Sequence, residues 1–453
     1  MTELASSSGH RLSASDRRAL FGLLLGVFLG SLEAAIANTS LPTIARDLQA
    51  TPAASVWVIN AYQLAVVATL LPFAALGDRL GPRRVFLAGV AFFTASSAVC
   101  ALAPNLPVLV AGRALQGIGA GALMSVNIAL IRLIYPPERL GRGVGLNALV
   151  VGIGFVLGPS IASLVLAASS WPWLFGLNVP LGLVALAFAS PSLPRSEPRG
   201  HRFDPLTALL TALCFASLIF ALGSAAQREP WPQWGLPLAL ALVAAAVVLR
   251  RQRGHPAPML PVDLFRRPLF ALSAFTSTAS FTTQGLAFVG LPFFFEQVLH
   301  RNPVETGFLM LPWALVVALS APIAGRLSDR HPAGLLGGIG LGTLSLGMAL
   351  LALLPASASA FDIVWRMALC GTGFGLFQSP NLNALMSSAP PERAGGASGV
   401  IAIARLTGQA TGAALVALCF GLAGSRGPTW ALALGSVSAA LAATASFARL
   451  WAR

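Results

Sequence analysis

LFGLLLGVFLGSLEAAIANTSLP, running from Leu20 to Pro42, carries a single ionisable side chain, Glu33, in twenty-three positions. A helix needs ~20 apolar residues to cross a bilayer, and this run supplies them. An acid at the centre of such a helix costs on the order of +2.5 to +3.5 kcal/mol on insertion scales. Chains that keep one use it for an ion path, a proton relay or a substrate contact. The competing reading is a carboxylate that merely pins a helix contact. Gly22, Gly26 and Gly30 recur every fourth residue on the face that leads to Glu33. Small residues at that spacing let helices approach closely, so Glu33 is expected to face protein or a cavity and not lipid.

Similar runs continue to the end of the chain. Fourteen are legible, at about 19–41, 54–77, 85–103, 107–131, 144–168, 173–190, 206–224, 234–249, 269–295, 304–325, 333–354, 361–387, 398–423 and 428–448. The chain of 453 residues is 56% hydrophobic and 10% charged, against roughly 25% charged in a soluble domain. No lysine is present. That excludes a P-loop, whose lysine holds the phosphates, and a Schiff-base cofactor. The net charge of +14 comes from arginines that follow the membrane, so it is no sign of nucleic acid. With the N-terminus inside, twenty-two arginines fall in cytoplasmic segments and four (Arg46, Arg228, Arg301, Arg426) in outer loops. The positive-inside rule then sets both termini in the cytoplasm of a multi-pass protein of the inner (plasma) membrane. Cys100, Cys214, Cys370 and Cys419 lie in apolar runs with no metal-ligand or redox spacing. All five histidines fall in tails or loops, which argues against an enzyme. Neither a metal nor a cofactor is expected. The start of the chain is read as a first helix, not a cleaved signal, because Glu33 and Asn38 stand where a cleavage region would be.

The chain repeats itself. At a shift of 254 positions, Gly117, Gly119 and Gly121 fall on Gly371, Gly373 and Gly375. Ser125 and Asn127 fall on Ser379 and Asn381, and the sequence PPER at 136–139 falls on PPER at 390–393. A second echo, at a shift of 251, sets Asp78-Arg79 on Asp329-Arg330. The expected fold is all-α and membrane-integral: two pseudo-symmetric six-helix bundles plus two inserted helices. The expected division is a cytoplasmic tail at 1–18, an N-terminal bundle at 19–190, a linker with two inserted membrane helices at 191–268, and a C-terminal bundle at 269–453. Parallel repeats with a site between them near the membrane midplane are a transporter design.

The turn at 74–84, AALGDRLGPRR, and its counterpart GRLSDR at 325–330 resemble the cytoplasmic motif of the major facilitator superfamily. Arg113-Ala-Leu-Gln116-Gly117 resembles that family's Arg-x-x-Gln-Gly motif. The sequence around Glu33 resembles the first-helix motif of its fourteen-helix drug:proton antiporter branch, with Glu in place of Asp. Gly154, Gly158 and Pro159 resemble part of the antiporter motif of the fifth helix, whose final glycine pair is here Ala162-Ser163. They are expected to allow bending and tight packing.

The resemblance implies a proton-coupled exporter of lipophilic drugs or metabolites, acting as a monomer by alternating access. The alternatives are proton-coupled uptake of a small solute and, less favoured, a membrane-embedded enzyme. Asp78, Arg79, Arg83, Arg84, Asp329 and Arg330 would form a latch on the cytoplasmic side. At ~1.5 Å per residue, Glu33 and Arg113 lie at similar depths, roughly 9–12 Å below the outer surface. They can meet as a proton-coupling pair. Arg405 matches an arginine common in the branch, and Asp362 and Arg366, four apart, can pair with each other. Tyr62, Gln63, Asn127, Gln284, Gln378 and Asn381 are polar candidates for a substrate cavity; Phe281, Phe288 and Phe374 are apolar ones. An acid among aromatic and amide groups would suit lipophilic cations.

Overall fold

The computed structural model describes residues 13–136, 139–195, 205–226, 229–252, 262–390 and 394–451. The start of the tail, both PPER loops in part, and the linker stretches 196–204 and 253–261 lie outside these ranges. The described residues form α1 (Ala14–Asp47), α2 (Pro52–Ser55), α3 (Trp57–Leu80), α4 (Pro82–Ala101), α5 (Leu106–Ile134) and α6 (Leu140–Ala168). There follow α7 (Pro172–Gly176), α8 (Asn178–Ser192), α9 (Pro205–Ala226), α10 (Trp231–Gln252) and α11 (Pro268–Phe293). The last five are α12 (Pro303–Ser328), α13 (Ala333–Ala352), α14 (Ala360–Ser387), α15 (Ala394–Ala423) and α16 (Gly427–Ala448). Among the described residues, eleven stretches are long and apolar enough to cross a membrane, one of them spanning both α15 and α16.

α1 begins within the segment read as a tail. Ser13 and Asp16 explain this, because they form a capping box that satisfies the free amides of the first turn. α11 is rich in Ser and Thr, yet most of it is buried. Its hydroxyls bond back to carbonyls one turn earlier, as Thr276 does to Leu272 (2.6 Å) and Thr282 to Thr278 (2.9 Å). A buried hydroxyl needs such a partner.

Helix pairing in the first part of the chain recurs in the second. α5 packs on α3 and α4, as α14 packs on α12 and α13. α1 packs on α6 and α8, as α11 packs on α15 and α16. Across the two halves α1 meets α11, α6 meets α12, and α15 meets α3. α9 and α10 pack on each other, with α9 against α3 and α15.

The repeated glycines carry this pairing. A Cβ on Gly117 would stand 2.4 Å from the Tyr62 carbonyl oxygen, and one on Gly371 would stand 2.4 Å from that of Trp313. Gly121 and Gly375 similarly admit the hydroxyls of Thr69 and Ser320. Matching glycines thus let α5 and α14 lie against their neighbours at close range.

The end of the molecule that bears the Gly77–Arg84 turn is called the motif face, and the opposite end the far face. The halves touch toward the far face. Thr39 donates to the Met310 sulfur (3.8 Å), and Ser163 donates to the Pro303 carbonyl (3.4 Å). A Cβ on Gly307 would meet the Pro159 carbonyl oxygen at 2.4 Å. Toward the motif face, α6 and α12 expose Leu149, Leu319 and Ile323.

Gly158 is where α6 meets α1: a Cβ there would lie 2.5 Å from the Cβ of Ala35, whereas one on Gly145 meets nothing within 4 Å. Overpacking of this kind costs about 1–3 kcal/mol. Gly158→Ala should therefore lower the melting temperature of the purified protein, and Gly145→Ala should leave it unchanged. Equal melting of the two variants would contradict the close α1–α6 contact.

Candidate functional site

Glu33 lies on α1 with no exposed surface, and Arg113 lies on α5 at 1% exposure. The two are paired: Arg113 Nη1 donates to Glu33 Oε1. Asn178 donates its side-chain amide to Glu33 Oε2, so both carboxylate oxygens are engaged. Asn178 is the first residue of α8, set there by a one-residue interruption at Leu177 that separates α7 from α8. Pro180, which has no amide hydrogen to give, stands in the first turn of α8. Arg113 is held from several sides. Its Nε donates to the Val58 carbonyl (3.0 Å), and its Nη1 also donates to Gln116 Oε1 (2.6 Å). Gln116 in turn donates to Ser97 (2.8 Å). The guanidinium carbon stands 4.3 Å from the Tyr62 ring centroid and 5.5 Å from that of Phe175, within cation–π range. Tyr62 donates its hydroxyl to the Gly30 carbonyl (3.2 Å). All of these groups belong to the N-terminal half.

Between the halves lies a narrow pocket lined by Asn38, Gln63, Phe155, Gln284, Phe288 and Gln409, among others. The Phe155 and Phe288 rings stand 5.8 Å apart across it, one from each half. Of the residues expected to line a cavity, Gln63, Gln284 and Phe288 do so. Tyr62 stacks on Arg113 instead. Asn127 donates to Asn147 (2.7 Å) between α5 and α6. Phe281 and Phe374 pack on each other at 5.6 Å within the core of the C-terminal half. Asn381 sits toward the motif face, where it accepts from Arg449 (2.6 Å). Gln378 is half-buried on α14. Sequence reasoning missed Asn38, Phe155, Asn178 and Gln409. The available signal was only their type: an amide or aromatic side chain inside an apolar run.

The latch residues lie on the motif face. Asp78, Arg79 and Arg84 are exposed, as are Asp329 and Arg330. Neither Asp78 nor Asp329 forms an ion pair among the described residues. Arg83 donates to the Ser190 carbonyl at the end of α8 (2.5 Å). Arg366 pairs with Asp362 (3.3 Å), which also caps α14 through Ser359. Half-buried Arg405 has no ion pair or hydrogen bond to any described residue, and it lies within electrostatic reach of Tyr62 across the halves.

At the far face α11 continues as one π-helical turn, Phe294–Val298, bearing Glu296. π turns recur at functional positions. Glu296 Oε1 is buried without a partner. Burial pushes this carboxyl up to about 7, and Arg46 at the end of α1 opposes the rise.

Comparison with known proteins places these features in context. A family model described as Major Facilitator Superfamily matches residues 23–413. "Uncharacterized transporter YebQ" of Escherichia coli (strain K12) is 48% identical over 434 residues, 95% of each chain. "Riboflavin transporter RibZ" of Clostridioides difficile (strain 630) is 29% identical over 88% of this chain and 87% of its own. "Multidrug resistance protein Stp" of Mycobacterium tuberculosis (strain CDC 1551 / Oshkosh) is 32% identical over 86% of this chain and 73% of its own. The crystal structure of the POT family transporter PepTSo superposes with a TM-score of 0.74 at 14% identity, covering 96% of this chain and 98% of that one. At that identity the likeness concerns the fold.

Two measurements probe these groups. Removing one partner of a buried ion pair costs about 3–5 kcal/mol, because the other charge stays uncompensated. Arg113→Leu should lose stability on that scale, while Glu33→Gln combined with Arg113→Leu should lose less than the two single variants added together. Strict additivity in a double-mutant melting cycle would deny the coupling. Glu296 holds its proton more tightly folded than unfolded, so its contribution is greatest below pH 4.5 and is lost as pH rises through about 7. Melting temperatures of Glu296→Gln should gain on the wild type across that window. A gap that stays constant with pH would contradict the burial of this carboxyl.

Proposed function

We propose that this chain, which belongs to the major facilitator superfamily and is a multi-pass membrane transporter and not an enzyme, exports lipophilic small molecules in exchange for protons by alternating access. One observation carries the reading: a carboxylate and a guanidinium, Glu33 and Arg113, paired deep in the helices of one half with almost no exposed surface. The relative named as a multidrug resistance protein supports the substrate class. In this reading the molecule has fourteen membrane spans, the motif face is cytoplasmic, and both termini lie on that side. It works as a monomer, with residues 19–190 and 269–453 as the two rocking bundles and the linker at 191–268 adding two spans.

Proton coupling follows from the pair. An arginine does not release its proton, whereas a carboxylate takes one up. Protonating Glu33 removes the charge that holds Arg113 and frees the guanidinium to shift with α5. Loss of that contact loosens α1 against α5 and α8, and α1 also meets α11 of the other half. A proton at Glu33 thereby biases the interface between the halves.

The two faces fit one stage of the cycle. Contacts at Thr39, Ser163 and Gly307 close the far side, while Asp78 and Asp329 are unlatched. That combination suits a state open to the cytoplasm. When the halves rock the other way, Asp78, Arg79, Arg83, Arg84, Asp329 and Arg330 re-form the latch.

In everted membrane vesicles with an imposed proton gradient, a panel of lipophilic probes should provoke proton movement through the wild type. Glu33→Gln should abolish it. Proton movement of wild-type size in that variant would remove Glu33 from the coupling role.

A further inference from the structure

The pocket between the halves is lined by amides and aromatic rings, not by charges. Glu33 offers nothing to a bound cation, since Arg113 and Asn178 hold both of its oxygens. The nearest charge along α15 is positive: Arg405 lies one turn from Gln409, on the same side of the helix. A cationic ligand would find repulsion there and no free carboxylate among the lining residues.

The amides divide into two kinds. Gln409 donates to Gln284 Oε1 (2.8 Å), a pair brought together where Gly285 admits the backbone of Gln409. Asn38 and Gln63 are different. Asn38 gives one of its two amide N–H groups to the Ala34 carbonyl of its own helix (3.1 Å), and its Oδ1 is buried without a partner. A carbonyl only accepts, so this bond also fixes which end of the Asn38 amide points into the pocket. Gln63 Oε1 is likewise buried without a partner. Buried acceptors left unpaired cost stability, and native proteins rarely keep them without a use. Two of them, on neighbouring helices of one pocket, are placed to accept from a ligand that brings donors.

We propose that this pocket binds an uncharged aromatic heterocycle with neighbouring N–H or O–H donors, accepted by Asn38 and Gln63 and flanked by Phe155 and Phe288, in preference to a lipophilic cation. The inference rests on the export reading for its location, since the ligand bridges the two halves. The slot widens for a ring when the halves part, because Phe155 and Phe288 come from opposite sides of the interface.

The test uses the full chain in lipid nanodiscs and three probes. Lumichrome is flat, neutral and has two ring N–H groups; its N-dimethylated form lacks both; ethidium is a flat permanent cation. Lumichrome should bind the wild type about tenfold more tightly than its dimethyl form, a difference of about 1.4 kcal/mol, and more tightly than ethidium. Asn38→Leu and Gln63→Leu, made separately, should each shrink the ratio between lumichrome and its dimethyl form. That ratio is internal to each preparation, so partial loss of folded protein does not enter it. Equal binding of lumichrome and its dimethyl form, a ratio unchanged in both variants, tighter binding of ethidium, or binding of none of the three would overturn the proposal. Proton movement driven by ethidium in vesicles, together with weak lumichrome binding, would sink the substrate class and leave the export reading standing.

Discussion

A carboxylate and a guanidinium withdrawn from water each lose several kcal/mol of solvation, and only close pairing with further hydrogen bonds offsets the loss. The surroundings of Glu33 and Arg113 are organised by that requirement. Asn178 takes the second carboxylate oxygen, Val58 and Gln116 take further guanidinium hydrogens, and Tyr62 and Phe175 cover its faces. These partners come from α1, α3, α5, α7 and α8, so one ion pair ties together most of the N-terminal half. Among the described residues the C-terminal half has no such buried ion pair: Arg449, buried toward the motif face, rests on the neutral acceptors Ser273, Asn381 and Ser446. The repeat therefore preserves helix packing while the two halves differ in charge.

That packing depends on the absence of side chains. Gly117 and Gly371 each admit a carbonyl from the helix beneath, at 2.4 Å from where a Cβ would stand. Gly158 likewise admits the Cβ of Ala35 where α6 meets α1, and Gly307 admits the Pro159 carbonyl where α12 meets α6. Without a hydrophobic drive between helices in lipid, such close approach supplies much of the association. The halves meet at α1–α11, α6–α12 and α3–α15, the contacts that the proposed rocking motion would have to rearrange.

Much of this was legible in the chain. The Glu33–Arg113 contact followed from counting residues at helical rise from the helix ends, because a straight helix converts sequence position into depth. The glycine repeat was legible because close packing tolerates no other residue. Asn178 was not, since its role depends on an interruption at Leu177 that apolar composition does not reveal. Nor was the pocket: Asn38 is one turn from Ala34 and five residues beyond Glu33, yet its orphaned oxygen becomes a site only when α11 and α15 dock opposite it. Phe288 and Phe281 lie two turns apart on one helix. Both pack in the core of the C-terminal half, yet only Phe288 also lines the pocket, a difference that residue type alone does not encode.

The buried ion pair and the pocket are adjacent without being shared. Ala34 lines the pocket and Glu33, its neighbour in sequence, turns away into the N-terminal half. Tyr62 and Gln63 repeat the pattern on α3: the first stacks on Arg113, the second enters the pocket. Two consecutive residues on each of two helices thus touch both sites, with nothing but backbone between them. In the proposed exporter, a ligand held by Asn38 or Gln63 would act on the same helical turns that hold the ion pair, so a rotation of α1 or α3 would move Glu33 or Tyr62 relative to Arg113 without a long pathway.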